Sequence, residues 1–135
     1  MNQLYLIFPH DRQNTINLED FYRNFHYKIS TDGYSSVLSM FDQNARCKFN
    51  NDIEVNPYNF LLKITSQGVF KLSYLNIDIS STIINEGLLI NSISTVYPIN
   101  FQGYCGNLVK INEVFIIKNI NGNNLISNYM LKIFN

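Results

Sequence analysis

The chain has 135 residues, with ten Lys and Arg against ten Asp and Glu, and nine Tyr and ten Phe but no Trp. That length fits one domain, able to bury roughly two thirds of its unfolded surface around a single core without disulfides or metals. No segment concentrates Lys or Arg, which argues against strong direct nucleic-acid binding and against an anionic membrane surface, since both need clustered positive charge.

The first eight residues lack a basic leader, and their apolar run stops at Pro9, too short for a signal or a membrane span. A soluble, intracellular protein is expected. Residues 1–16 are set apart as an N-terminal arm from a domain over 17–135. Leu18, Phe21, Tyr22, Phe25 and Ile29 then recur at helical spacing and predict a first helix, with Asn17 as its cap and Asp32-Gly33 as its end. Tyr34, Val37, Leu38 and Phe41 repeat the pattern and predict a second, shorter one.

From Ala45 to Phe49 and from Ile53 to Val55 the spacing shortens to two strand pieces joined by the polar turn Asn50-Asn51-Asp52. Cys47 falls in the first piece; it and Cys105 have no nearby Cys or His and are expected to be reduced packing residues. Asn56-Pro57 is an N-cap followed by Pro at the first helical position, and predicts a helix to about Gln67, ended by Gly68.

Four strands are predicted next: Phe70 to Ile79, Leu88 to Tyr97, Val109 to Asn119 and Leu125 to Phe134. The last two meet across Asn121-Gly122, a dipeptide suited to the positive φ angles of a two-residue hairpin turn. Helices therefore come first and a meander of antiparallel strands second. Along the third of these strands Val109, Ile111, Phe115 and Ile117 make an apolar face interrupted by Glu113. The opposite face is mixed, and the last strand carries large apolar groups on both sides. Helices should cover one face of the sheet, and the other has enough apolar surface to call for a partner or a second copy.

This order, with Asp20-Phe-Tyr-Arg-Asn-Phe25, Val37-Leu-Ser-Met-Phe-Asp-Gln-Asn-Ala-Arg-Cys-Lys-Phe49, Asn112-Glu-Val-Phe-Ile-Ile-Lys-Asn-Ile120 and Ser127-Asn-Tyr-Met-Leu-Lys-Ile133, resembles the nuclear transport factor 2 family. The resemblance implies an α+β cone, in which a strongly bent antiparallel sheet packs against N-terminal helices. Family members include transport proteins that use surfaces and small enzymes that use the mouth of the cone, and fold alone does not choose between them.

The family's homodimeric importer of Ran-GDP holds that GTPase through acidic residues; here the matching places are Phe49-Asn50 and the uncharged loop 100–107, which keep the aromatic and lack the carboxylates. Charge pairs of that kind dominate such contacts. The chain is closer in character to the small subunit of the mRNA export receptor heterodimer. By that analogy it pairs sheet to sheet with the related domain of a larger receptor, helps it bind Phe-Gly nucleoporins, and shuttles between nucleus, nuclear pore and cytoplasm. Tyr97, Phe101, Tyr104, Val114, Ile116, Met130 and Phe134 are the interface candidates. Phe49 and Asn50 are candidates for a nucleoporin or Ran-type surface, and Ran-GDP or the chain itself is the alternative partner.

An enzyme of this fold would need an acid or base inside the cone, and His26, Asp42, Asp78 and Glu113 are the groups available. His26 lies off the apolar stripe of its helix and is expected at the surface or rim. Glu113 lies on an apolar strand face, where burial favours a base with a raised pKa, or else an ion pair with Lys71 or Lys132. No metal-ligand spacing, phosphate loop or nucleophile context is present, so no catalytic, metal or cofactor residue is assigned. An isomerase or dehydratase remains the rival to a binding protein.

Overall fold

The structure, a computed structural model, describes residues 18–66, 72–85, 87–98 and 108–134. The predicted arm and Asn17 lie outside these residues. Helix α1 spans Leu18–Asp32, and its stripe of Phe21, Tyr22, Phe25 and Ile29 is buried as the periodicity requires. Gly33 ends it at φ +86°, its N–H donating to Ile29 O at 3.1 Å, a left-handed cap that suits glycine.

The second helix is shorter than its pattern. Helix α2 keeps one turn, Ser35–Leu38, and Phe41 opens strand β1, Phe41–Phe49. Tertiary pairing overrides the helical spacing here: Met40 O accepts the N–H of Ile126 at 2.8 Å, drawing the chain into the sheet. The predicted strand Ile53–Val55 contracts to one bridge, in which Cys47 and Val55 exchange two 2.9 Å backbone bonds. Helix α3, Pro57–Ser66, begins as predicted, with Asn56 Oδ1 accepting from the N–H of Asn59 at 2.8 Å.

Strands β2, Leu72–Ile84, β3, Gly87–Pro98, β4, Val109–Ile120, and β5, Asn123–Phe134, complete a five-stranded sheet in the order β1-β5-β4-β3-β2. The α+β class holds. β2 runs five residues past its predicted end at Ile79, because Ser80, Ser81 and Thr82 pair fully with β3 despite their polarity. Gly87 opens β3 against the backbone of β4: a Cβ at this position would stand 2.0 Å from Ile117 O, so the close approach requires glycine. Asn121 and Gly122 take φ +53° and +86°, as the Asn-Gly reading of the β4–β5 hairpin expects.

Two features depart from a simple meander. β1 runs parallel to β5, closing the sheet on the side away from the β2–β3 hairpin. The β4–β5 register also slips between Ile116 and Ile117, which changes the facing of the last strand. Ile126, Tyr129, Leu131 and Ile133 are therefore buried together, whereas strict alternation along the strand would put Leu125 on the face of Tyr129 and Ile126 on the opposite one.

The helices cover this inner face. Phe115 and Tyr129 stack at 4.7 Å between ring centroids, and Phe21 and Phe25 of α1 meet Phe115 edge-on at 5.4 and 5.1 Å. Phe60 of α3 meets Tyr129 at 5.4 Å, so one aromatic layer joins both helices to the sheet.

Candidate functional site

A buried polar cluster lies within that aromatic layer, centred on Glu113, whose exposure is 0%. The alternation of β4 puts Glu113 on the inner face between Ile111 and Phe115. Oε1 accepts from the hydroxyl of Tyr22, Oε2 from that of Tyr129, and Nε2 of His26 stands 2.9 and 2.8 Å from the two oxygens. Ser94 of β3 meets the Tyr22 hydroxyl at 3.0 Å. One carboxylate thus ties α1, β4 and β5 together, with β3 joined through a tyrosine.

His26 corrects the sequence reading. It is 3% exposed rather than at the surface or rim. It lies one helical turn after Tyr22, and α1 is covered over a wider arc than its apolar stripe, with Tyr74 of β2 packed against the imidazole at 5.6 Å. Of the two lysines expected as partners of Glu113, Lys132 is exposed on the other face and Lys71 lies outside the described residues; His26 and two tyrosines hold the carboxylate. The signal available in the sequence was the spacing of Tyr22 and His26, i and i+4 on one helix, facing a lone carboxylate in an apolar strand.

Burial raises the pKa of Tyr22, and the charge of Glu113 raises it further; Tyr129 is raised for the same two reasons in the same order. Tyr74 is pushed well up by burial and then by its acidic neighbours Tyr22 and Glu113. These phenols remain protonated donors. The hydroxyls of Tyr74 and Ser92, both screened from solvent, make no hydrogen bond among the described residues. Chemically the arrangement holds a carboxylate with both oxygens already accepting, which secures the fold and leaves little free lone-pair capacity for a substrate proton.

The other carboxylates named from sequence are elsewhere. Asp78 is exposed on the outer face of β2, and Asp42 lines a cavity of about 410 Å³ with Leu38, Phe41, Pro57 and Tyr58. Among the described residues no group of three His, Cys, Asp or Glu is placed to hold a metal, and no helix is long and apolar enough to cross a membrane.

The outer face carries three of the named interface residues. Val114 stands opposite Met130 on β5 and Asn91 on β3, and Ile116 stands opposite Leu89. All are half-buried, and Ile93, two residues beyond Asn91, is 41% exposed. Lys48, Lys110, Lys118 and Lys132 surround this strip, with Asp78 on its β2 side. The backbones of Tyr97 and Phe134 pair with Ser73 and Lys110, while their side chains, and Phe101 and Tyr104 entirely, lie outside the described residues.

Phe49 and Asn50 are used within the fold. Phe49 is 8% exposed, and Asn50, at φ +52°, donates its N–H to Leu131 O and accepts from the N–H of Ile133, both at 2.8 Å. Beyond them Asp52 pairs with Lys63, and Glu54 with Arg46 at 3.7 Å. A cavity of about 540 Å³ between Phe49, Ile53, Phe60 and Lys63 separates this turn from α3.

No family model and no curated protein sequence matches this chain. Solved structures do. The yeast UBP3-associated protein BRE5 is similar at 16% identity with a TM-score of 0.64, over 88% of this chain and 95% of that one. An NTF2-like protein from Cytophaga hutchinsonii is similar at 9% identity and TM-score 0.63, over 87% and 95%. An NTF2-like protein of unknown function from Pseudomonas putida shares 2% identity at TM-score 0.63, over 85% and 82%. At these identities the likeness is one of fold: the chain has a nuclear transport factor 2-like fold.

Proposed function

We propose that the chain is a non-enzymatic pairing domain, docking the outer face of its sheet against the related domain of a larger protein. The observation that carries this is the apolar strip of Leu89, Ile93, Val114, Ile116 and Met130 on the sheet face opposite the one that the described helices cover. Burying such a strip removes apolar surface from water at about 25 cal/mol per Å². The lysines around it favour a partner whose rim is acidic.

In its finer form the reading follows the family resemblance. The partner is an mRNA export receptor, the pair offers an apolar pocket to Phe-Gly nucleoporins, and the protein works in the nucleus and at the nuclear pore. Affinity capture from native cells with mass identification tests it. A partner carrying a related domain should be recovered by the native protein and lost with Val114→Lys plus Met130→Lys. Recovery of the chain alone, or of Ran-GDP independently of those two residues, would overturn it in favour of a homodimer or an importer.

A second reading has its own observation, the contact of His26 with Glu113 inside the cone. A histidine–carboxylate pair among phenols has the groups an acid–base centre of an isomerase or dehydratase uses. It requires a substrate to displace a tyrosine from a saturated carboxylate. Turnover of an enolisable carbonyl compound that disappears in a folded Glu113→Gln variant would establish it, and equal turnover by both proteins would remove it.

A further inference from the structure

We infer that the groove between α2, the start of β1 and the start of α3 receives an arginine side chain presented by a partner chain. The inference uses none of the outer-face residues and stands apart from that reading. β1 enters the sheet irregularly: it advances from Phe41 to Arg46 while β5 advances only from Ile126 to Asn128, so residues 42–45 bulge without a partner on β5. Bulges of this kind re-aim side chains. Here Phe41 and Ala45 stay buried, Gln43 and Asn44 are exposed, and Asp42, half-buried, lines the groove.

The carboxylate of Asp42 has no cation beside it. Its Oδ2 accepts from the N–H of Asn44 at 3.2 Å, and among the described residues no Lys, Arg or His pairs with it. Asp32 and Asp78 also have none, but both are exposed, where water satisfies them. The rest of the lining is mostly apolar, with Leu38, Phe41, Pro57 and the ring of Tyr58. Tyr58 stays 48% exposed although it packs against Tyr34, ring centroids 5.7 Å apart, which leaves aromatic surface available at the groove.

These features select the occupant. An apolar ligand would cover a carboxylate without pairing it, and an anion would face a like charge; both are costly. A cation with an apolar body suits the site, and arginine suits it better than lysine. Its guanidinium is planar and weakly hydrated, forks a carboxylate through two N–H groups and stacks on an aromatic ring, while the methylene stem lies along apolar walls. The cavity, about 410 Å³, falls at the small end of ligand sites, which run to about 1,000 Å³, and suits one long side chain. The rim favours a chain over a free guanidine. Gln43 and Asn56 bring exposed amides there; Asn56 Oδ1 already accepts from Asn59, so its NH2 is left to donate, and the backbone at Gln43 has no partner on β5. Groups of that kind hold a peptide backbone while a pocket takes its side chain.

Amide NMR titration of the whole chain with a blocked Gly-Arg-Gly peptide tests this. Saturable shifts should centre on Leu38, Asp42, Gln43 and Tyr58. Asp42→Asn keeps an acceptor for Asn44 and should weaken binding about tenfold, through loss of the charge-assisted pair. On the native protein the same peptide with citrulline, which has the shape without the charge, should also bind about tenfold more weakly, so the test does not hang on a variant that folds. Lysine in place of arginine, and propylguanidine, which lacks the backbone, should both be weaker than the arginine peptide. Absence of a saturable shift at the groove, or equal binding by Asp42→Asn or of the citrulline peptide, overturns the inference. Equal binding of the lysine peptide overturns it by removing the guanidinium, and equal binding of propylguanidine overturns it by assigning the groove to a small free molecule.

Discussion

Replacing Glu113 by Gln tests whether the buried cluster secures the fold. The two carboxylate oxygens accept from Tyr22, Tyr129 and His26, all nearly or fully buried. An amide keeps the shape but has one acceptor oxygen, and its NH2 group faces a phenol that is itself a donor. About two charge-assisted bonds are weakened or lost, at about 1.5–3 kcal/mol each, so destabilisation of about 3–6 kcal/mol is expected. That is a large share of the ~5–15 kcal/mol that holds a typical domain. Tyr129→Phe removes one donor and leaves the carboxylate two others, with an expected loss of about 1.5 kcal/mol. Urea unfolding gives both values from the shift in midpoint at constant m, and the double variant gives their coupling, expected near 1 kcal/mol or more. A Glu113→Gln protein within about 0.5 kcal/mol of native, with negligible coupling to Tyr129→Phe, would refute the assignment, since surface-like substitutions fall in that range.

Three further outcomes are expected. Tyr22, Tyr74 and Tyr129 hold their protons more tightly when folded, so the folded state binds more protons above pH ~10; their contribution is complete below that pH and falls as pH rises, by up to ~1.4 kcal/mol per unit for each tyrosine. Unfolding followed by phenolate absorbance measures it, and a stability that stays flat as pH rises above ~10 would contradict it. Gly87→Ala forces a Cβ onto the backbone oxygen of Ile117 and should cost about 1–3 kcal/mol or more, with loss of amide protection in β3 and β4 on hydrogen exchange; unchanged protection would show that the hairpin relaxes freely. Burial pushes the Cys47 thiol up to about 12, so in a Cys105→Ser background its alkylation should follow global unfolding, and fast labelling of the native protein would show an opening around β1.

The fold was legible wherever one local rule acted alone. Asn56-Pro57 opened α3, Gly33 closed α1, and Asn121-Gly122 turned the last hairpin, each through backbone preferences carried by the named residues. Legibility ended where a distant strand intervened. Phe41 continues the helical spacing of Tyr34, Val37 and Leu38, yet the N–H of Ile126 claims the carbonyl of Met40 and makes Phe41 a strand residue. The slip at Ile116–Ile117 likewise carries Ile126 inward against strict alternation.

The cluster around Glu113 was half legible for the same reason. The sequence marks a carboxylate in an apolar face, and an unpaired buried charge is too costly to leave, so a partner had to exist. Spacing along the chain favoured a lysine on a neighbouring strand; the topology instead brings α1 across the inner face, where a lysine would bury a second strongly hydrated charge. Tyrosine and histidine answer the same need with less desolvation, since each brings an aromatic body that packs with Phe25 and Phe115. The aromatic richness first noted as composition therefore has a physical use here. It lets one buried carboxylate be satisfied by side chains that are also core.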